Sequence, residues 1–70
     1  MPAPHNEWQA LEQERVELLG QIGACRLELE MTEPEHRMRR DRLDSQIRNL
    51  EKRLAEVEAR LATELRESHQ

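Results

Sequence analysis

The sequence predicts an all-α fold, an antiparallel helical hairpin whose two helices close along a coiled-coil seam. Apolar residues recur at alternating spacings of three and four, and this pattern occurs twice, once before and once after Thr32. Charged residues make up 37% of the 70 residues and Trp8 is the only aromatic residue, a composition typical of long helices with much surface. Because a single hairpin of this length buries little, we expect two copies to dimerise into a four-helix bundle.

The first helix is predicted over residues 6–31, after an arm of residues 1–5 that carries two prolines and is expected to be disordered. Asn6 is a suitable N-cap, and Gln9 three positions later completes a capping-box pattern. The side of this helix that faces the second helix carries Trp8, Leu11, Arg15, Leu18, Ile22, Cys25 and Leu29.

A turn over residues 32–34 is predicted to lead into a second helix over residues 34–66. The Thr32 hydroxyl is expected to accept a hydrogen bond from the Glu35 amide and so to cap that helix. Pro34 suits a first helical turn, since its missing N–H has no partner inside the helix there. One continuous helix, kinked at Pro34, is the alternative.

The second helix repeats the pattern and faces the first with His36, Arg40, Leu43, Ile47, Leu50, Leu54 and Val57. We call these residues and their counterparts in the first helix the seam. Antiparallel pairing sets Leu29 opposite His36 near the turn, where His36 is expected to be half-buried, and Trp8 opposite Val57 at the open end. Residues 6–67 form one domain in this prediction, and residues 68–70 form a frayed tail.

Charged residues beside the seam favour the hairpin on one of its two sides. Three pairs of opposite charge and one pair of amides face each other there: Glu7 with Arg60, Glu14 with Arg53, Glu28 with Arg39, and Gln21 with Gln46. Such pairs fix register and orientation more than they add stability. The other side is poorly matched, with Arg26 facing Arg37, Leu19 facing Asp44, Glu12 facing Glu51 and His5 facing Glu58. A second subunit is expected on that side.

The first helix carries a second apolar set away from the seam, which we call the stripe: Val16, Leu19, Gly20, Gly23, Leu27 and Met31. A glycine inside a helix costs about 1 kcal/mol relative to alanine, and close approach of another helix is a reason to keep two of them. A two-fold axis near Leu19 and Gly20 sets Glu12 against Arg26 of a second chain. The predicted dimer interface is Glu12, Val16, Leu19, Gly20, Gly23, Arg26 and Leu27. A parallel dimer, or glycines present by drift, are the alternatives.

Residues for catalysis, cofactor binding or metal binding are not found in the sequence. It contains no Ser/His/Asp arrangement, no glycine-rich phosphate loop and no cluster of Cys and His, so we expect no enzyme activity, no cofactor and no metal. Cys25 is the only cysteine, which suits a reducing compartment and a small buried apolar role. No apolar run approaches the ~20 residues of a membrane span and no secretory signal is recognised, so a cytoplasmic protein is expected.

Binding to other proteins through helices is the remaining class of function. The candidate contacts are Met38 near the turn, and Leu61 and Leu65 where the second helix outruns the first. We therefore expect a small adaptor, regulator or assembly subunit that has no small-molecule substrate.

The alternative is a nucleic-acid-binding regulator that uses the basic segment of residues 36–42. Its candidate contacts are Arg37, Arg40 and Arg42, which acidic neighbours offset in a chain of net charge −4. In size and topology the predicted dimer of hairpins resembles the Rop-like regulators, which bind paired RNA loops across a four-helix bundle. The resemblance implies RNA binding and carries over no residue of this sequence.

Overall fold

The computed structural model describes residues 5–68, with side chains described over residues 7–67. Helix α1 (His5–Met31) and helix α2 (Arg37–Ser68) run antiparallel and pack against each other in a molecule of 55 × 15 × 13 Å. The predicted helical hairpin is confirmed, and the alternative of one continuous helix is wrong. Residues 1–4 of the predicted arm and residues 69–70 of the predicted tail lie outside the described residues.

The buried core of residues 7–67 consists of seam residues. Six side chains in this range are buried, and all of them belong to the predicted pattern: Leu11, Leu18, Ile22, Leu43, Ile47 and Val57. Val57 is the most buried of them, at 1% exposure, and Leu50, Leu54 and Leu61 pack against the cluster around it. Spacings of three and four place all these residues on one side of each helix, which explains why both helices bury the same kind of face.

The turn is longer than predicted and occupies residues 32–36, so that α2 begins at Arg37 rather than at residue 34. The His36 amide donates to the Glu33 carbonyl at 3.0 Å, and the His36 carbonyl accepts the first hydrogen bond of α2, from the Arg40 amide at 3.0 Å. His36 is exposed, and its predicted half-burial is wrong because it lies in the turn. Pro34 disfavours helical geometry at the preceding residue, which is consistent with the late start of α2.

Thr32 ends α1 and does not cap α2. Its amide donates to the Leu29 carbonyl at 3.2 Å, and its hydroxyl donates to the Glu28 carbonyl at 2.6 Å. Both bonds satisfy carbonyls that the end of an α-helix leaves without partners. The predicted cap between the Thr32 hydroxyl and the Glu35 amide is wrong, because α2 begins at Arg37 and the Glu35 amide lies in the turn rather than in the first turn of that helix.

Arg40 and Leu61 make contacts that the sequence does not predict. Arg40 donates from Nη1 to the Leu29 carbonyl at 3.1 Å and to the Thr32 carbonyl at 2.8 Å. Leu61, predicted to project beyond α1, packs against the cluster that contains Leu11. Neither contact changes the register of the two helices, which the ion pairs Glu28–Arg39, Glu14–Arg53 and Glu7–Arg60 hold at the predicted positions.

Ion pairs line one side of the hairpin as the sequence predicts. Arg39 Nη2 lies 3.1 Å from Glu28 Oε2, Arg53 Nε lies 2.7 Å from Glu14 Oε2, and Arg60 Nη2 lies 3.7 Å from Glu7 Oε1. A second bond of 3.2 Å, from Arg53 Nη2 to Glu14 Oε1, makes the central pair bidentate. The three predicted charge pairs are confirmed, and the amide pair Gln21–Gln46 stays a prediction.

Candidate functional site

The stripe of α1 lies on the outside of the hairpin and is the candidate interaction surface. Its large side chains range from 45% exposed at Leu19 to 76% exposed at Met31, and Val16 and Leu27 lie between these values. The same helix turns Leu11, Leu18 and Ile22 into the core, so α1 presents apolar residues on two of its sides. A helix that is apolar on two sides has one more surface to bury than a two-helix fold uses.

Gly20 and Gly23 lie in the middle of the stripe, and the hairpin gives no packing reason for either. A Cβ atom built at either position meets no atom within 4 Å, and neither glycine has positive φ. Each costs α1 about 1 kcal/mol relative to alanine. The contact that small residues permit at these positions is therefore not made within the single chain.

The charged residues predicted at the edge of this surface have partners inside the chain. Arg15 Nε donates to Glu12 Oε1 at 2.8 Å, a bond that raises the pKa of Arg15, and Arg26 Nη2 donates to Glu51 Oε2. The predicted like-charge contacts, Arg26 with Arg37 and Glu12 with Glu51, are wrong. The prediction considered only residues facing each other across the seam, whereas Arg15 meets Glu12 along α1 and Arg26 reaches Glu51, which lies further along α2 than Arg37.

The three predicted partner contacts on α2 do not form one surface. Met38 is 80% exposed beside the turn, Leu65 is exposed near the opposite end of the molecule, and Leu61 is half-buried on the hairpin's own core. Leu61 therefore contributes to the fold, and Met38 and Leu65 are separate exposed side chains.

The structure also contains a shallow groove between the two helices beside the turn, which was not predicted from the sequence. Leu27 and Met31 line it from α1, and His36 and Arg39 line it from the turn and from α2. The signal that marks it is the spacing of Leu27 and Met31, one helical turn apart directly before the chain reverses. The groove extends the stripe toward the turn.

The four arginines of the basic segment are dispersed, and two of them are already bonded to other groups of the chain. Arg40 is half-buried and bonded to two backbone carbonyls, and Arg39 is paired with Glu28. Arg37 and Arg42 are exposed, and neither joins an ion pair among residues 7–67. Two of the four tip arginines therefore have no ion pair among residues 7–67 that binding of another group would have to break.

Titratable groups near the turn lie on the surface. The Glu33 and Glu35 carboxyl groups share a hydrogen bond, which raises the pKa of Glu35. Among the described residues, no group of three or more His, Cys, Asp or Glu side chains is arranged to hold a metal ion. Within the same residues, neither helix has an apolar stretch long enough to cross a membrane.

Comparisons with protein-family models, with curated proteins and with solved structures give no match to this chain. The exposed surfaces of α1 and α2 are therefore the basis for inferring its function.

Proposed function

We propose that this chain is a non-catalytic helical-hairpin protein that acts through protein–protein contacts, as a small adaptor, regulator or assembly subunit in the cytoplasm. In this proposal it self-associates through α1 to form a four-helix bundle. The observation that carries the proposal is the stripe, in which exposed aliphatic side chains surround two glycines whose built Cβ atoms meet no other part of the described residues within 4 Å. Association removes these aliphatic groups from water, at about 25 cal/mol per Å² of apolar surface.

The total surface of the molecule supports the need for a partner. The chain exposes 5901 Å² at a mass of 8.3 kDa, whereas a compact monomer of this mass exposes about 4,600 Å². A two-helix rod has no second layer to cover its outer faces. Packing against a second hairpin supplies that layer without a change of fold.

Light scattering during size-exclusion chromatography, at micromolar concentrations, tests self-association. We expect a mass of twice 8.3 kDa. Leu19→Glu places a charge in the stripe and is expected to give a monomer, whereas Leu65→Glu, a matched change at an exposed leucine of α2, is expected to leave the dimer. Circular dichroism checks that both variants are helical. A Leu19→Glu variant that stays dimeric contradicts the interface, and a monomeric wild-type protein contradicts self-association.

The Rop-like alternative stays a prediction with a reduced set of contacts. Arg37 and Arg42 remain candidates, and Arg40 would have to leave the carbonyls of Leu29 and Thr32 to bind phosphate. A gel shift of RNA or DNA at low salt that weakens with added salt and is lost in an Arg37→Ala/Arg42→Ala double variant would favour it. Failure to bind either nucleic acid at low salt would leave the protein-binding proposal.

A further inference from the structure

We propose that the two α1 helices of the dimer run antiparallel, and that an alternating chain of four charges across the interface sets this orientation. The chain of charges runs from Glu51 to Arg26 within one copy, and then to Glu12 and Arg15 of the second copy. This inference rests on the dimer proposed above and identifies its partner surface as the same stripe of a second copy.

Both halves of this charge chain exist in the single chain. Arg26 is bonded to Glu51, and Glu12 is bonded to Arg15. Neither bond uses the full hydrogen-bonding capacity of its two side chains, since a guanidinium carries five N–H donors and a carboxylate accepts at several positions. Arg26 and Glu12 therefore each keep the capacity for one further bond to an opposite charge.

An antiparallel arrangement is the one that joins the two pairs. With a two-fold axis near Leu19 and Gly20, Glu12 of each copy lies at the level of Arg26 of the other, and the contact forms twice. In a parallel arrangement, Glu12 meets Glu12 and Arg26 meets Arg26, so both contacts are repulsive. Charge complementarity therefore favours a second antiparallel copy as the occupant of the stripe.

The glycines fit the same arrangement. About this axis, Val16 of one copy lies within one residue of the level of Gly23 of the other, and Leu19 lies within one residue of the level of Gly20. Because a Cβ at either glycine would stand in open space, each glycine leaves a shallow depression on the surface of α1. An aliphatic side chain from the second copy enters each depression, which lets the two helices approach closely.

Charge reversal tests the orientation. Glu12→Arg is expected to weaken dimerisation about tenfold or more, since it sets the introduced guanidinium against Arg26 of the second copy in both contacts. The fourfold variant Glu12→Arg/Arg15→Glu/Arg26→Glu/Glu51→Arg reverses the whole chain of charges and is expected to recover most of the loss, because every contact in it is again of opposite charge. In a parallel dimer the single reversal exchanges one like-charge contact for another, and no recovery follows. Sedimentation equilibrium at low salt measures the dissociation constants.

Disulfide formation in a Cys25→Ser background provides a second, independent readout. Leu19→Cys is expected to crosslink with itself, and Val16→Cys is expected to crosslink with Gly23→Cys when the two proteins are mixed, because a disulfide needs Cα atoms within about 7 Å. Val16→Cys alone is expected to stay uncrosslinked. Self-crosslinking of Val16→Cys overturns the antiparallel orientation while leaving the dimer. A monomeric mass for the wild-type protein overturns the proposed function itself.

Discussion

Gly20 and Gly23 are residues at which the single hairpin and the proposed dimer have opposite requirements. In the hairpin, a methyl group at either position enters open space, and alanine favours the helix more than glycine does. In the dimer, the same methyl group fills the depression that receives an aliphatic side chain of the second copy. A glycine-to-alanine change is therefore expected to stabilise the single hairpin and to weaken the proposed dimer.

We expect Gly23→Ala to raise the free energy of unfolding of the monomer by about 1 kcal/mol and to weaken dimerisation. Urea denaturation at concentrations below the dissociation constant reports the first effect, and sedimentation equilibrium reports the second. Ser45→Ala, an exposed change on α2, is the control, because it improves helix propensity without touching the stripe. A Gly23→Ala variant that dimerises as tightly as the wild-type protein would leave the glycines without an interfacial role.

The pKa of Glu14 is expected to be lower than that of an ordinary glutamate, and the pKa of Glu35 is expected to be higher. The bidentate bond from Arg53 lowers the pKa of Glu14, so its contribution to stability is present above the unfolded pKa and is lost as pH falls through the folded pKa. The hydrogen bond with Glu33 raises the pKa of Glu35, so its contribution is present below the unfolded pKa and is lost as pH rises through the folded pKa.

Carbon NMR of the side-chain carboxyl groups measures both titrations directly. Arg53→Ala is expected to raise the pKa of Glu14 toward that of an ordinary glutamate and to leave Glu35 unchanged. Arg48→Ala removes an exposed arginine from the same helix and is expected to change neither group. If Arg48→Ala raises the Glu14 pKa as much as Arg53→Ala does, general charge and not the bidentate bond is its cause.

At the scale of the helices, periodicity and charge pairs identified the buried residues and the register, but not the conformation of the turn. Every buried side chain among residues 7–67 belongs to the predicted seam, because burial of one helical face requires only the right spacing along the chain. The turn is longer than predicted, and the Thr32 hydroxyl does not cap α2. It bonds to the Glu28 carbonyl, and Arg40 bonds to the Thr32 carbonyl from the other helix, a tertiary contact that no local pattern reveals.

Arg40 also compensates for a deficiency at the end of α1. The last turn of α1 contains no basic residue, although its free carbonyls and the helix dipole favour a positive charge there. Arg40 supplies that charge from α2 through its bonds to the carbonyls of Leu29 and Thr32. This contact joins the end of one helix to the beginning of the next and so fixes the turn.

We expect Arg40→Met to lower the free energy of unfolding by about 1–2 kcal/mol, because methionine keeps the apolar part of the side chain but removes the donor group. Chemical denaturation followed by circular dichroism measures the change at one fixed protein concentration. Arg42→Met is the matched control, and as an exposed substitution it is expected to change stability by less than about 0.5 kcal/mol. Equal effects of the two substitutions would show that Arg40 acts only through net charge.

The whole molecule is a long, thin rod. Its radius of gyration is 16.1 Å, whereas a compact domain of the same length has about 11 Å. The excess is a direct consequence of having two helices and one shared face, so that most side chains contact solvent on at least one side. A second copy placed along α1 thickens the rod more than it lengthens it.

If the proposed dimer forms, thermal unfolding is expected to depend on protein concentration, because a folded dimer and two unfolded monomers differ in the number of particles. With an unfolding enthalpy of about 0.7 kcal/mol per residue, the midpoint of a cooperative dimer is expected to rise by about 5 °C for each tenfold increase in concentration. Circular dichroism over two decades of concentration measures this slope, with Leu19→Glu as the monomeric control that should show none. A wild-type midpoint independent of concentration would mean that the hairpin folds and melts alone, and that the stripe of α1 stays exposed to another protein.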